Sequence, residues 1–282
     1  MKNFTLALQE VPRMRNIVRM DVYRVFRNKM TYILLGATVL LNIVVMGSFA
    51  MLELSLRYID FEALGAETVA LLETTLPKDF GGYIEYFFCG NLLIVFLTVF
   101  ALVFCSSEYQ TGYIKNTAVN ILPRHLTVFS KLIVVAVYTV ITYLITGLIV
   151  VIGCYLLGFT KIDNLGKIIR MILLQILCNY SLTTFFMMIF YITRKNVIAM
   201  VTGLIYGTMG NLAYALIALL VSVAFPNSDF DLTKYTNLGN IIFHMNTSAT
   251  VNDCIRAAIV AVIFIGISTF FSCVSINKKD IK

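Results

Sequence analysis

Six runs of this chain contain no Asp, Glu, Lys or Arg: residues 30–52, 86–107, 132–160, 171–193, 197–228 and 257–277. Each is 21 residues or longer, against the roughly 20 that a helix needs to cross about 30 Å of hydrocarbon. Barrel strands would show alternation over only about 9–11 residues. Charged residues make up 13% of the chain, about half the share of a soluble domain. The bilayer is therefore the solvent to reason with. The expected fold is an all-α membrane protein with six transmembrane helices. Its spans fall at about 30–52, 86–107, 132–158, 171–193, 197–225 and 256–275. Together they make one domain, 30–277, preceded by a segment 1–29 and followed by a short tail, 278–282.

The distribution of Lys and Arg predicts the orientation. Six spans put both termini on one side, and the segments on that side hold 15 of the 22 basic residues. The opposite side holds 11 of the 15 acids. Both termini are expected in the cytoplasm by the positive-inside rule. The net charge of +7 is then a property of the inner face, and a nucleic-acid partner is not called for. The six cysteines show no paired spacing, and five of them sit in or at the ends of spans as small apolar residues.

Ahead of the first span, Pro12 suits the first position of a helix. Met14, Ile17, Val18, Val22, Val25 and Phe26 then recur on one face, with Arg13, Arg15, Arg19, Arg24, Arg27 and Lys29 over much of the remainder. This predicts an amphipathic helix in the membrane interface, either a plain anchor or an elbow beside a partner subunit. Residues 53–85 carry seven acids. They predict a short helix over 63–76 or a solvated acidic loop, with Pro77 and Gly81-Gly82 marking a break. In the fifth run, Gly203 and Gly207 form a small-residue face for close helix packing, within the chain or between copies. Residues 225–254 mix Pro, Asn, Asp and Thr with an apolar patch, which suits short helices or a re-entrant excursion buried in protein.

Several chemistries lack their residues. No Asp, Glu, Lys, Arg or His sits centrally in any of the six runs, which disfavours proton-coupled carriers and intramembrane hydrolases with acidic or His ligands. His125 and His244 have no metal-ligand spacing. Gly166-Lys167 lacks the earlier glycine of a phosphate-binding loop. Any energised work must draw on another chain.

The stretch 106–131, SSEYQTGYIKNTAVNILPRHLTVFSK, concentrates charge and turn residues between the second and third spans. The second helix is expected to run to about Glu108. Gly112 can end or bend it, and residues 113–119 can form one or two turns along the cytoplasmic surface. Pro123 suits the opening of the next helix. The residues alone fit a solvated connector as well as a docking element.

Three features give the chain a resemblance to the permease subunits of the ABC-2-type transporter family, particularly six-helix permeases of antimicrobial-peptide and drug exporters. They are the lead-in MDVYRVFRNKMTYILL, the connector SSEYQTGYIKNTAVNILPRHLTVFSKLI and the six-span layout with a mixed segment before the last helix. The connector resembles the family pattern of an acid, a glycine, a base, then Arg before Ser/Thr-Lys. The resemblance implies a coupling helix at about 111–119 seated in an ATP-binding subunit. Glu108, Gly112, Lys115 and Arg124 fall on its pattern. Tyr109, Tyr113 and Asn116 are neighbouring contacts outside that pattern. It also implies two ATP-binding subunits holding ATP and Mg, a second or related permease copy, and a bacterial cytoplasmic membrane. The expected function is transport and not catalysis: ATP-driven export of an amphipathic or hydrophobic peptide, antibiotic or lipid-like cargo. The rival is a channel or carrier that works without ATP.

Overall fold

Hydrocarbon offers the backbone no partners, so an apolar run inside it bonds to itself as a helix. The computed structural model describes residues 2–58, 77, 79–110, 124–159, 164–224 and 232–278, and the described residues contain helices and no strand. In chain order these are α1 (Lys2–Arg27), α2 (Lys29–Tyr58), α3 (Phe80–Cys89), α4 (Asn91–Gln110), α5 (Arg124–Leu156), α6 (Leu165–Thr193) and α7 (Asn196–Ala224). Three short turns follow: a 3-10 turn at Leu232–Tyr235, an α turn at Asn237–Gly239 and a π turn at Asn240–His244. The last helix is α8 (Val251–Lys278). Among the described residues, five stretches are long and apolar enough to cross a membrane: Lys29–Ser55, Phe80–Ser107, His125–Leu156, Leu165–Thr193 and Val251–Asn277. A further apolar stretch, Asn196–Gly210, is shorter. The surface helices expected at 63–76 and 111–119 lie outside the described residues.

Local signals explain where the helices start and stop. Asn28 separates α1 from α2, and its side-chain carbonyl accepts from the Met30 amide at 3.1 Å, which satisfies an otherwise orphaned donor at the start of α2. Asp79 caps α3 in the same way, accepting from the Gly82 amide at 3.0 Å. Gly81 and Gly82 therefore lie in the first turn of a helix, and the expected break falls just before them, at the non-helical residues 77 and 79. A second break, which the sequence reading did not mark, comes at Gly90, whose extended backbone (φ −70°, ψ 146°) separates α3 from α4. A Cβ there would stand 2.9 Å from the Tyr86 carbonyl oxygen, so the close approach needs glycine. At the far end of α6, Arg194 adopts a left-handed conformation (φ 56°) and its amide bonds the Phe190 carbonyl at 2.8 Å, ending the helix two residues before α7.

The core lies where α4, α5 and α6 meet. Leu97, Ala101, Val135, Tyr138, Met187 and Phe190 are buried together there, and the Phe100 ring stacks on Tyr138 with centroids 3.4 Å apart. Helices α2, α7 and α8 turn broad apolar faces outward: Ile33, Leu40 and Val44 on α2, Val201, Ile205 and Leu212 on α7, Ile259 and Val262 on α8. Such a surface has a suitable environment in lipid. None of the six cysteines is in a disulfide.

Gly203 and Gly207 face α4. A Cβ on Gly203 would come within 2.5 Å of Thr98 Cγ2, and one on Gly207 within 3.0 Å of Val95 Cγ2. The small-residue face thus brings two helices of one chain together. Because Thr98 is itself buried, it has little room to yield. Gly203→Val is expected to cost about 1–3 kcal/mol of stability, the range for overpacking a filled core. Thermal unfolding of the detergent-solubilised protein would show it, and an unchanged melting temperature would refute the contact.

Candidate functional site

Helix α1 packs on α5 through Ile17, Asp21 and Val25, which recur every four residues and are all buried. An acid therefore occupies the middle of an apolar stripe. Asp21 is 2% exposed, and its partners come from α5. Ser130 Oγ donates to its carboxylate at 2.6 Å, and Lys131 Nζ lies 3.4 Å away. Lys131 is also 2% exposed, and its ammonium stands 4.4 Å from the centre of the Phe104 ring on α4. Arg24 approaches the same carboxylate at 3.9 Å from a more exposed position. A buried charge is tolerated when it is paired and hydrogen-bonded, and the Lys–ring contact adds a cation–π attraction. One cluster thus ties α1, α4 and α5 together at one end of the bundle.

Three of the sequence-predicted coupling residues stand on helices that meet at this cluster. Glu108 and Tyr109 stand on the last turn of α4, and Arg124 opens α5, though their side chains lie outside the described residues. Gly112, Tyr113, Lys115 and Asn116 belong wholly to the undescribed segment 111–123. Lys131 lies two turns along α5 from Arg124, about 10 Å. Sequence reasoning did not single out Asp21, because one acid among many bases reads as a surface residue. Its register with Ile17 and Val25 was the available signal.

At the opposite end of the bundle, the short turns between α7 and α8 are pinned into the protein by α6. Arg170 donates to the Ala249 carbonyl at 2.7 Å. Gln175, fully buried, donates to the carbonyls of Ile241 at 2.8 Å and Met245 at 3.0 Å. Asn237 donates to Ser181 Oγ at 2.6 Å. From Arg170 to Ser181 the segment follows α6 for about 16 Å, so it enters the bundle and does not merely cover it. Asn179 extends the polar chain to the Tyr143 hydroxyl of α5 at 2.5 Å. On the other side, the Glu85 carboxylate of α3 accepts from both the amide and the hydroxyl of Thr247. A cavity of about 350 Å³ lies between α2 and the α3–α4 break, beneath this clamp.

Among the described residues, no group of three or more His, Cys, Asp or Glu is placed to hold a metal ion. What the arrangement offers is mechanical: a charged tie at one end, a polar pin at the other, and a cleft beside a broken helix.

Comparison with known proteins agrees with this architecture. The profile of the family described as ABC-2 family transporter protein matches residues 17–210, from the buried stripe of α1 to the middle of α7. No match is found among curated proteins. The family is a membrane transport component of ABC transporters, and the apolar helices make the chain a multi-pass membrane protein. With more than half its length matched, the chain belongs to the ABC-2 transporter family as a membrane permease.

Proposed function

We propose that this permease is the membrane subunit of an ATP-driven exporter in a bacterial cytoplasmic membrane. Both termini face the cytoplasm, and α7 completes a set of six spans. Two permease copies, identical or related, line a path, and two ATP-binding subunits holding ATP and Mg dock beneath them. The cargo is amphipathic or hydrophobic, in keeping with helices whose central residues carry no charge. The observation that supports coupling is the cluster of Asp21, Ser130 and Lys131. Segment 111–123 joins α4 to α5, and those two helices meet α1 at that cluster. A push on the segment would then move three helices together. Glu108, Gly112, Lys115 and Arg124, with Tyr109, Tyr113 and Asn116, form the docking surface in this reading.

Combining Lys115→Glu with Tyr113→Ala tests it. The reversed charge and the lost ring are expected to abolish co-purification of the ATP-binding subunit and ATP-dependent transport, while the permease still reaches the membrane. Undiminished complex formation and transport would overturn the coupling assignment. Transport by the purified permease alone would instead support a channel or carrier.

A further inference from the structure

The cavity between α2 and the α3–α4 break has the size of a small-molecule site, about 350 Å³ within the usual several-hundred range. Leu41 and Val45 of α2, Phe87 of α3, and Leu92 and Phe96 of α4 supply apolar walls. Tyr86 and Leu92 stand at its edge and are each about half exposed, so the cleft opens sideways, where the bilayer would lie. Its polar groups are unequal in kind. Glu85 contributes a carboxylate whose bonding partners, the amide and hydroxyl of Thr247, are both neutral. Among the described residues no Lys or Arg pairs with it. Asn42 also lines the cleft; its amide nitrogen is occupied by the Thr38 carbonyl at 2.8 Å and by Thr146 Oγ1 at 3.4 Å. The lining therefore combines apolar walls with a negative charge that has no cationic partner among the described residues. Glu85 is half-buried, and a carboxylate partly withdrawn from water attracts a positive charge more strongly than one in bulk solvent.

We propose that this cleft binds a hydrophobic cation, entering from the bilayer with its apolar body between α2 and α4 and its charge against Glu85. The assignment deepens the permease reading by naming a cargo class. It rests on that reading only for the ligand's role as cargo.

The test is equilibrium binding of radiolabelled tetraphenylphosphonium and of tetraphenylborate to the full chain in nanodiscs of zwitterionic lipid, with empty nanodiscs as background. The two ions share size and shape and differ in sign. Saturable binding of the cation and not the anion is expected. Glu85→Gln keeps the volume and the acceptor for Thr247 and should weaken cation binding by about tenfold or more, given the strength of a charge pair at low dielectric. Thr247→Val removes the hydroxyl of the clamp and leaves the charge, so it should keep the cation preference. Val45→Phe fills the cleft and should abolish binding. Equal affinity for both ions, full binding by Glu85→Gln, or no saturable binding would each overturn the proposal. Melting temperature monitors folding of every variant. Cation binding that persists in a permease unable to transport with any ATP-binding subunit would sink the exporter reading and leave the site standing. Lost binding with transport of other cargo intact would do the reverse.

Discussion

Lys131→Met is expected to destabilise the permease by about 3–5 kcal/mol, the range for removing one partner of a buried ion pair. The ammonium lies 3.4 Å from an Asp21 carboxylate that is 2% exposed. Without it, Asp21 retains the Ser130 hydroxyl at 2.6 Å and Arg24 at 3.9 Å. Arg24 is partly exposed, so it offsets only a fraction of the loss. The diagnostic comparison is a double variant, Asp21→Leu with Lys131→Met. It removes both charges and places apolar volume on an already apolar stripe, so most of the lost stability should return, as it does when a buried pair is replaced by packed hydrophobic residues. Thermal unfolding of the two single variants and the double completes the cycle. A coupling below about 0.5 kcal/mol would mean that the pair does not hold α1 to α5. If the tie transmits motion as well, the double variant should fold and dock an ATP-binding subunit yet transport poorly. Recovery of stability and transport together would confine the cluster to a structural role.

The helices were legible in the sequence because length and absence of charge are enough to specify them in hydrocarbon. The features that shape the two ends of the bundle were not. Gly90 lies inside a charge-free run, and only Asn91 after it sets it apart locally from glycines that pass through a helix without a break, such as Gly147 within α5. The difference is tertiary: at Gly90 the chain approaches the Tyr86 carbonyl closely. Pro77 and Gly81-Gly82 marked a break that falls at residues 77 and 79, and the Asp79 cap lets both glycines enter the helix that follows. Asp21 was hidden by its basic neighbours, and only its partners on α5 give it meaning. Gln175 and Asn179 were overlooked for a different reason. A search for ionisable groups passes over neutral amides, although two of them one helical turn apart in a charge-free run have to find partners. Lys115, named through a resemblance, and its neighbour Tyr113, outside that pattern, lie outside the described residues. Their role depends on the docking experiment and not on geometry.

Those two amides set the second large effect. Gln175→Leu is expected to lower stability by about 1–3 kcal/mol and to loosen the segment between α7 and α8. Hydrogen bonds between membrane helices average only about 0.6 kcal/mol, because the unpaired groups usually find other partners. Here that escape is narrow. The acceptors are the backbone carbonyls of Ile241 and Met245, in and just after a π turn, and both residues are buried. The Met245 carbonyl keeps the Cys89 thiol as a donor, so the loss falls on the Ile241 carbonyl, and one orphaned buried acceptor costs about 1–3 kcal/mol. A local readout separates this from general destabilisation. The Cys89 thiol donates to the same Met245 carbonyl at 3.2 Å, and the Gln175 amide touches the Cys89 sulfur at 3.1 Å. In a background retaining only Cys89, the substitution should raise its rate of alkylation by a membrane-impermeant maleimide well before global unfolding. Gln175→Glu gives the contrasting case: ionised, it would set a carboxylate against two carbonyl oxygens and should be worse than leucine. If both variants melt like the parent and leave Cys89 protected, the segment is held by its apolar contacts with α6, and the polar pin contributes nothing.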